Sequence, residues 1–460
     1  MTRPNILFLM TDQQRADALG CAGGWVDTPN LDRLAAEGVR FSNAITTCPV
    51  CVPARLSLAT GLHCHSTGVW RNCGERLDPA MPNWMRALRD AGYRTSLFGK
   101  THLHPHGGDL REREELMHAY GLDDVDEIGG PRASARLLSH MTARWQSLGI
   151  WEDYREDYRE RFANKPHVVR PSALPLEEYA DVYVGRQAAE YLTAYDRDQP
   201  WFCWVSFGGP HEPWDSPEPY ASRYRPQAMP LPTSVPEWTE ERPRGVLDNR
   251  LRDRPVITSD EAAAMRADYA GNVSLIDDQI GHVLRVIEER GEWDNTIVAL
   301  VSDHGELNGD HGLIYKETFL DGCLRIPFLV RTPQTAATTP GRICPTPVEL
   351  PDIGPTLAEL AGVKLDYQHF ARSVAPCLHD PDLRHRSDAL AEYDGEAVLL
   401  TEEWKLAVNA EGDPYLLFDR QEDADEQRNL VADPAHRAIV RALQARLLQR
   451  LVSSQRRLDR

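Results

Sequence analysis

Three short apolar runs, each stopping abruptly at a polar or glycine-rich corner, leave few architectures open to this chain. Ile6-Leu7-Phe8-Leu9-Met10 stops at Thr11-Asp12-Gln13, residues 201–207 run into Gly208-Gly209-Pro210-His211, and residues 296–302 stop at Asp303-His304. An unbroken apolar run of this length is the pattern of a strand buried on both faces, as in a parallel sheet. Helical stretches are predicted near residues 31–37, 53–60 and 83–91. A long helix is predicted over about 261–290, where Ile276, Ile280, Leu284 and Ile287 recur every three or four positions. The alternation predicts an α/β sandwich whose functional groups gather at the C-terminal ends of the strands.

From about residue 345 the pattern changes. Segments 396–400, 405–410 and 415–418 read as short strands ahead of a closing helix over 436–451, predicting a smaller antiparallel sheet with a terminal helix. The expected division is a larger α/β domain over 1–345 and a smaller one over 346–460, and 460 residues at 42% hydrophobic composition suffice for both cores. The formal net charge of -19 repels nucleic acid and anionic membranes, so an anionic ligand needs a local basic pocket. Neither nucleic acid nor membrane is expected as a partner, while a homo-oligomer remains open. The nine cysteines are scattered and odd in number, unlike a disulfide framework. The opening Met1-Thr2-Arg3-Pro4 enters a strand at once, and no run approaches a membrane span, so the expected location is cytoplasmic.

The chemistry-bearing residues sit at the corners. Asp12 and Asp303 end two predicted strands, each followed by a second possible ligand, Gln13 and His304. Parallel strands can bring such ends together around a divalent ion, although locally Asp12 could cap a helix and Asp303 begin a turn. In Cys51-Val52-Pro53-Ala54-Arg55 the proline opens a predicted helix, which places Arg55 on the same face as Cys51. The plain alternative is a buried thiol, a turn proline and a surface charge. Cys48 makes a Cys-x-x-Cys with Cys51, but no second pair follows and packing explains it. His102, His104 and His106 read equally as a solvent-facing cluster or a metal-binding tract.

Cys51-Val52-Pro53-Ala54-Arg55, followed by Leu58-Ala59-Thr60-Gly61, resembles the motif in which sulfatases oxidise a cysteine to formylglycine. Gly92-Tyr93-Arg94-Thr95 through Gly99-Lys100-Thr101-His102-Leu103, Pro210-His211-Glu212-Pro213 and Ser302-Asp303-His304-Gly305 resemble further segments of the same family, in the same order. Leu417-Phe418-Asp419 and Glu426 to Leu430 resemble its C-terminal segments and are read as structural. The resemblance implies an alkaline phosphatase-like α/β fold with a large central mixed sheet and a smaller antiparallel one.

It further implies hydrolysis of a sulfate monoester, carried by a carbohydrate or a small organic molecule, and a maturation enzyme that converts Cys51. Formylglycine at residue 51 is the nucleophile. One hydroxyl of its hydrate attacks sulfur, and the second later expels the esterified oxygen as the carbonyl re-forms. Asp12, Gln13, Asp303 and His304, with residue 51, surround one divalent ion. Arg55 holds the hydrate, Lys100 contacts it and the sulfate, and His102 takes a proton from the remaining hydroxyl. His211 serves the leaving group, Lys316 neutralises the transferring group, and Asn72 is a polar pocket residue.

Departures from the family pattern bear on specificity. Many sulfatases carry Asp-Asp and Asp-Asn where this chain has Asp12-Gln13 and Asp303-His304, and Thr101 stands where tryptophan is common. Calcium is expected, with manganese the alternative, because amide and imidazole donors suit calcium less well. Gln13, Asn72 and His304 also resemble phosphonate monoester hydrolases, so hydrolysis of a phosphonate monoester or phosphodiester is the alternative activity. A noncatalytic carbohydrate-binding protein on the same scaffold is the third reading. Substrate recognition is expected from residues 104–170 and 212–260, whose Arg155, Tyr158, Trp214, Tyr220 and Trp238 read either as charge and stacking faces for a sugar or as ordinary lid and interface packing.

Overall fold

The computed structural model describes residues 3–72, 74, 76–163, 165, 167–241 and 245–457. The strands are, in chain order, β1 (Asn5–Thr11), β2 (Val39–Phe41), β3 (Ala44–Ile45), β4 (Arg94–Gly99), β5 (Asp124–Glu127), β6 (Trp201–Ser206) and β7 (Thr296–Ser302). They continue with β8 (Phe328–Arg331), β9 (Arg342–Cys344), β10 (Val348–Glu349), β11 (Ala389–Tyr393), β12 (Glu396–Leu400), β13 (Trp404–Val408) and β14 (Pro414–Asp419). Eight strands form one sheet in the order β5-β4-β6-β1-β7-β8-β2-β9. β1 pairs in parallel with both β6 and β7, whereas β8 runs antiparallel to both of its neighbours, so the sheet is mixed.

The apolar runs end in the middle of this sheet because both of its faces are covered. Ile6, Phe8 and Met10 of β1 face one core, which includes Leu56 and Leu58 of the helix Cys51–Thr60. Leu7 and Leu9 face the other, against the helices Ala180–Ala194 and Ser259–Glu289. Such alternation on a doubly buried strand leaves no polar face, so polar residues appear only where the strand leaves the sheet. Parallel pairing aligns Thr11 with Ser302 and Met10 with Ser206, setting the ends of β1, β6 and β7 side by side. Asp12 and Asp303, one residue beyond, meet there.

The small sheet, β11-β12-β13-β14, is antiparallel throughout. One face packs on Leu307, Leu313, Phe319 and Leu320, and the other takes Val440, Leu443 and Leu447 of the helix Arg437–Ser453. It contains one strand more than the three expected, β11. Leu417-Phe418-Asp419 lies in β14, and Asn429 accepts the Leu417 N–H at 3.0 Å through its side-chain oxygen, a strand-end contact as expected of these segments. No helix among the described residues is long and apolar enough to cross a membrane. Eight cysteines are free thiols, and Cys73 lies outside the described residues.

Candidate active site

Cys51 is the first residue of a ten-residue helix in which every residue is buried. Its N-cap, Val50, brings no side-chain acceptor. Instead Asn72 reaches across, and its Oδ1 accepts the Val52 N–H at 2.8 Å. Asn72 therefore lines the cavity and satisfies an amide that the helix start leaves unpaired.

Around the Cys51 sulfur the structure gathers the residues singled out from sequence. His304 Nε2 lies at 3.2 Å, Lys316 Nζ at 3.4 Å, and Asp12 Oδ1 and Lys100 Nζ each at 3.9 Å. Burial alone would raise the thiol, but Lys100, Lys316 and His304 outweigh it and hold Cys51 well below the ordinary thiol range. The pocket thus favours negative charge on the atom at this position.

Arg55 directs its donors to the strand ends. Its Nε donates to Asp303 Oδ2 at 2.8 Å and its Nη2 to Asp12 Oδ2 at 3.0 Å, while Nη1 donates to the Lys100 carbonyl at 2.7 Å and Ser206 Oγ at 3.1 Å. All three charged side chains are fully buried. Arg55 ties the ends of β1, β4, β6 and β7 together beneath residue 51, a positioning role that a fixed planar fork performs well.

Lys100 follows β4 through Gly99, whose φ of +115° and closeness to the Ser206 carbonyl exclude a side chain: an added Cβ would sit 1.8 Å from that oxygen. Lys100 Nζ then lies 2.5 Å from Asp12 Oδ2. Beyond it His102 takes a positive φ of 54°, and Gln13, across the site, one of 69°. Such backbone strain in residues with side chains gathers at functional sites. Burial, reinforced by Lys100 and His106, pushes His102 well below the ordinary histidine range, leaving a neutral ring that can accept a proton.

The donor set fits a divalent ion. Single ligand atoms of Asp12, Cys51, Asp303 and His304 lie within 4.8 Å of one another. His304 Nδ1 faces the Gly305 carbonyl at 3.0 Å, which commits Nδ1 as the donor and directs Nε2 into the site, where a metal ion would take the place of a proton, the orientation of a metal-bound imidazole. Asp303 Oδ1 accepts the backbone N–H groups of Gln13 and His304, each at 3.0 Å. Gln13 presents its amide oxygen to Lys316 Nζ at 2.5 Å.

On the far side of Gln13 stand groups that the sequence reading passed over. The Gln13 amide nitrogen donates to Glu212 at 2.8 Å and to Glu306, and Arg132 pairs with Glu212. Burial opposes the Glu212 charge, but Arg132, His211 and Lys316 hold its carboxyl at about 2. Burial, with Glu212 nearby, pushes Glu306 up to about 7. Glu212 directly follows His211, the one signal that could have marked it. His211 lines the cavity, its Nδ1 2.8 Å from the Glu212 carbonyl oxygen.

The cavity above Cys51 has a volume of about 540 Å³ and is walled by Arg132, Arg136, Arg250 and Tyr315 as well as the residues above. Of the two readings of the aromatics in residues 104–170 and 212–260, the structure bears out packing. Trp214 is buried and stacks on Tyr315, Trp238 packs on Phe418, and Tyr220 donates to Asp278. Arg155 lies over Trp151, and Tyr158 packs on Phe162. These rings fill gaps between elements, where apolar area is removed from water. The solvent-facing reading of the histidine tract is also corrected, because the His104 and His106 side chains are buried, at 2% and 3% exposure.

A mixed sheet that gathers acidic strand ends beneath the start of a buried, cysteine-headed helix defines an alkaline phosphatase-like α/β fold. Comparison with solved structures agrees: phosphonate monoester hydrolase of Agrobacterium radiobacter superposes with a TM-score of 0.81 over 98% of this chain and 96% of its own, at 27% identity. Within that class the chain belongs to the sulfatase family, whose profile matches residues 4–363. A profile for the C-terminal region of N-sulphoglucosamine sulphohydrolase matches residues 309–453. Among named relatives, an arylsulfatase of Clostridium perfringens is 27% identical over 98% of this chain and 94% of its own length. The multifunctional alkaline phosphatase superfamily protein PehA of Trinickia caryophylli is 30% identical over 96% and 94%.

Proposed function

We propose that the protein hydrolyses a sulfate monoester of a carbohydrate or small organic molecule, with Cys51 matured to formylglycine by a separate enzyme. The observation that carries this reading is the convergence of Lys100, Lys316 and His304 on the Cys51 position, with a neutral His102 beside them. Residue 51 supplies the attacking oxygen. Lys316 and Lys100 neutralise charge on the sulfuryl oxygens as it develops, in a buried site where fixed cations act more strongly than in water. His102 accepts the proton whose departure frees residue 51 for another cycle, and His211 faces the leaving group. Arg55 holds the carboxylates that frame the site. Asp12, Gln13, Asp303 and His304, with residue 51, would hold a divalent ion, calcium or alternatively manganese, which would supply Lewis-acid polarisation.

The ulvan-active sulfatase of Formosa agariphila and the N-acetylglucosamine-6-O-sulfatase of Bacteroides thetaiotaomicron, both related over most of this chain, support a carbohydrate ester. Gln13 and His304, together with the likeness to a phosphonate monoester hydrolase, favour the second reading, a phosphonate monoester or phosphodiester. Lys100 and His102 weigh against it. The test is one matched kinetic panel of sugar, aryl and alkyl sulfates, phosphodiesters and phosphonate monoesters, run on protein whose residue 51 and metal content have been checked by mass spectrometry. A higher kcat/KM for sulfate esters is expected. A consistently higher value for phosphonate monoesters overturns the sulfatase reading, and full activity with an unmodified thiol at residue 51 overturns the formylglycine mechanism.

A further inference from the structure

His104 and His106 have no place in the chemistry above, yet the fold buries both against Glu127, the last residue of β5. His104 Nε2 lies 2.7 Å from Glu127 Oε2, and His106 Nε2 lies 3.1 Å from Oε1 of the same carboxylate. The opposite ring nitrogens are committed elsewhere. His104 Nδ1 is 3.1 Å from the Pro105 carbonyl oxygen, and His106 Nδ1 is 3.3 Å from that of Gly129. A carbonyl only accepts, so each Nδ1 carries its ring's proton, and a neutral ring then points an Nε2 lone pair at Glu127. The His102 backbone N–H, which donates to His106 Nε2 at 3.3 Å, calls for the same lone pair.

A proton on His104 Nε2, which Glu127 favours by drawing that ring upward, would satisfy Oε2, but the His106 Nε2 lone pair still faces Oε1 in a buried space, an arrangement that repels unless something positive lies between them. The Thr101 hydroxyl donates to Glu127 Oε1 but relieves that oxygen only. Charging both rings would place two imidazolium ions with centroids 5.4 Å apart, beside Lys100, against one carboxylate. A cation shared by the three ligand atoms, which lie within 4.8 Å of one another, removes the conflict. Each Nδ1–H then becomes the outer bond to a carbonyl that orients a metal-bound imidazole.

We propose that His104, His106 and Glu127 form a second metal site, separate from the ion at Asp12 and Asp303 and sharing no ligand with it. Two neutral imidazole nitrogens and one carboxylate match a borderline transition ion, Zn²⁺ above the hard cations. Both histidines line the 540 Å³ cavity, so a fourth position on the ion opens toward the space above residue 51, where it can take a hydroxyl or carboxylate oxygen of the leaving group. The inference stands on these contacts alone and does not depend on which ester is cleaved.

The test is zinc stoichiometry by elemental mass spectrometry after saturation with Zn²⁺ and removal of free ion. Two equivalents are expected in the unaltered protein, and one in Asp303→Asn. Glu127→Gln, which keeps the shape of the side chain and its contact with Thr101, and His106→Gln should each reduce two equivalents to one. They should remove the remaining equivalent when combined with Asp303→Asn. The single substitutions keep the test valid if Asp303→Asn fails to fold, and circular dichroism checks each variant. A zinc count that neither Glu127→Gln nor His106→Gln lowers overturns the proposal.

Discussion

Arg55 shows how much of this site is held by residues that need not meet the substrate. Its guanidinium is the shared partner of Asp12 and Asp303, and all three are shielded from water. Truncating one member of such a group leaves buried charge uncompensated, so Arg55→Ala should lose roughly 3–5 kcal/mol of stability in metal-free protein, read by denaturant unfolding. A loss below about 1 kcal/mol would mean that the carboxylates find other partners. His102 poses a different question. Burial, Lys100 and His106 hold its ring low, and the Cys51 charge is among the few influences acting the other way, so the proposed maturation of residue 51 to a neutral diol would remove an opposing influence. The ring should stay neutral through the acidic range, and the acid limb of the kcat profile should fall below the ordinary histidine value of about 6.5. An inflection at or above that value, abolished in His102→Ala, would contradict this.

At the scale of elements, Asp310 fastens the loop after β7 to its surroundings. It accepts from Arg15 at 2.7 Å beyond β1, from Arg266 at 2.5 Å on the helix Ser259–Glu289, and from the Thr233 N–H at 2.7 Å. Burial would raise its carboxyl, but Arg15 and Arg266 hold it at about 2, below the ordinary 3.8. Held below its unfolded value, the group stabilises the fold above about pH 4, and that contribution is lost as pH falls through about 2. Asp310→Asn should therefore be less stable by roughly 2 kcal/mol at pH 7, with the gap closing below about pH 3 in denaturant titrations. A gap independent of pH would rule this out.

The same scale explains what could be read beforehand. β1, β6 and β7 were legible because doubly buried strands have apolar residues at nearly every position. β4 was not read as a strand, because Thr95 and Ser96 look like surface residues until their hydroxyls are seen to reach the carbonyls of Gly121 and Phe202. β2, β3, β9 and β10 span only two or three residues and carry no period. Within the site, Asp12, Asp303 and Cys51 were legible from strand ends and a motif. Glu212, Glu306 and Arg132 resemble exposed charges in sequence, and only the folded loops bury the two carboxylates. Trp214 and Trp238 stayed open between stacking and packing for the converse reason, since a loop tryptophan on paper gives no sign of the partner that covers it.

Taken whole, the molecule completes its centre late. β1 lies between β6 and β7, so its partners are roughly 200 and 290 residues away in sequence. Asp12 cannot meet Asp303, nor can the helix headed by Cys51 be roofed, until β7 exists. Exposure of Cys51 in the folded protein is 1%. A maturation enzyme should accordingly fail on folded protein yet accept a peptide spanning 48–62, as peptide mass spectrometry after incubation with each would show; efficient conversion of the folded chain would refute this. About 245 residues separate Cys51 from the start of β7. At ~5–20 residues per second, a ribosome leaves that cysteine unroofed for on the order of ten to fifty seconds. Under the maturation proposed above, strand order acts as a clock: synonymous codons that slow or speed translation between residues 51 and 296 would lengthen or shorten the interval for modification, and change the fraction of active molecules without altering a single amino acid.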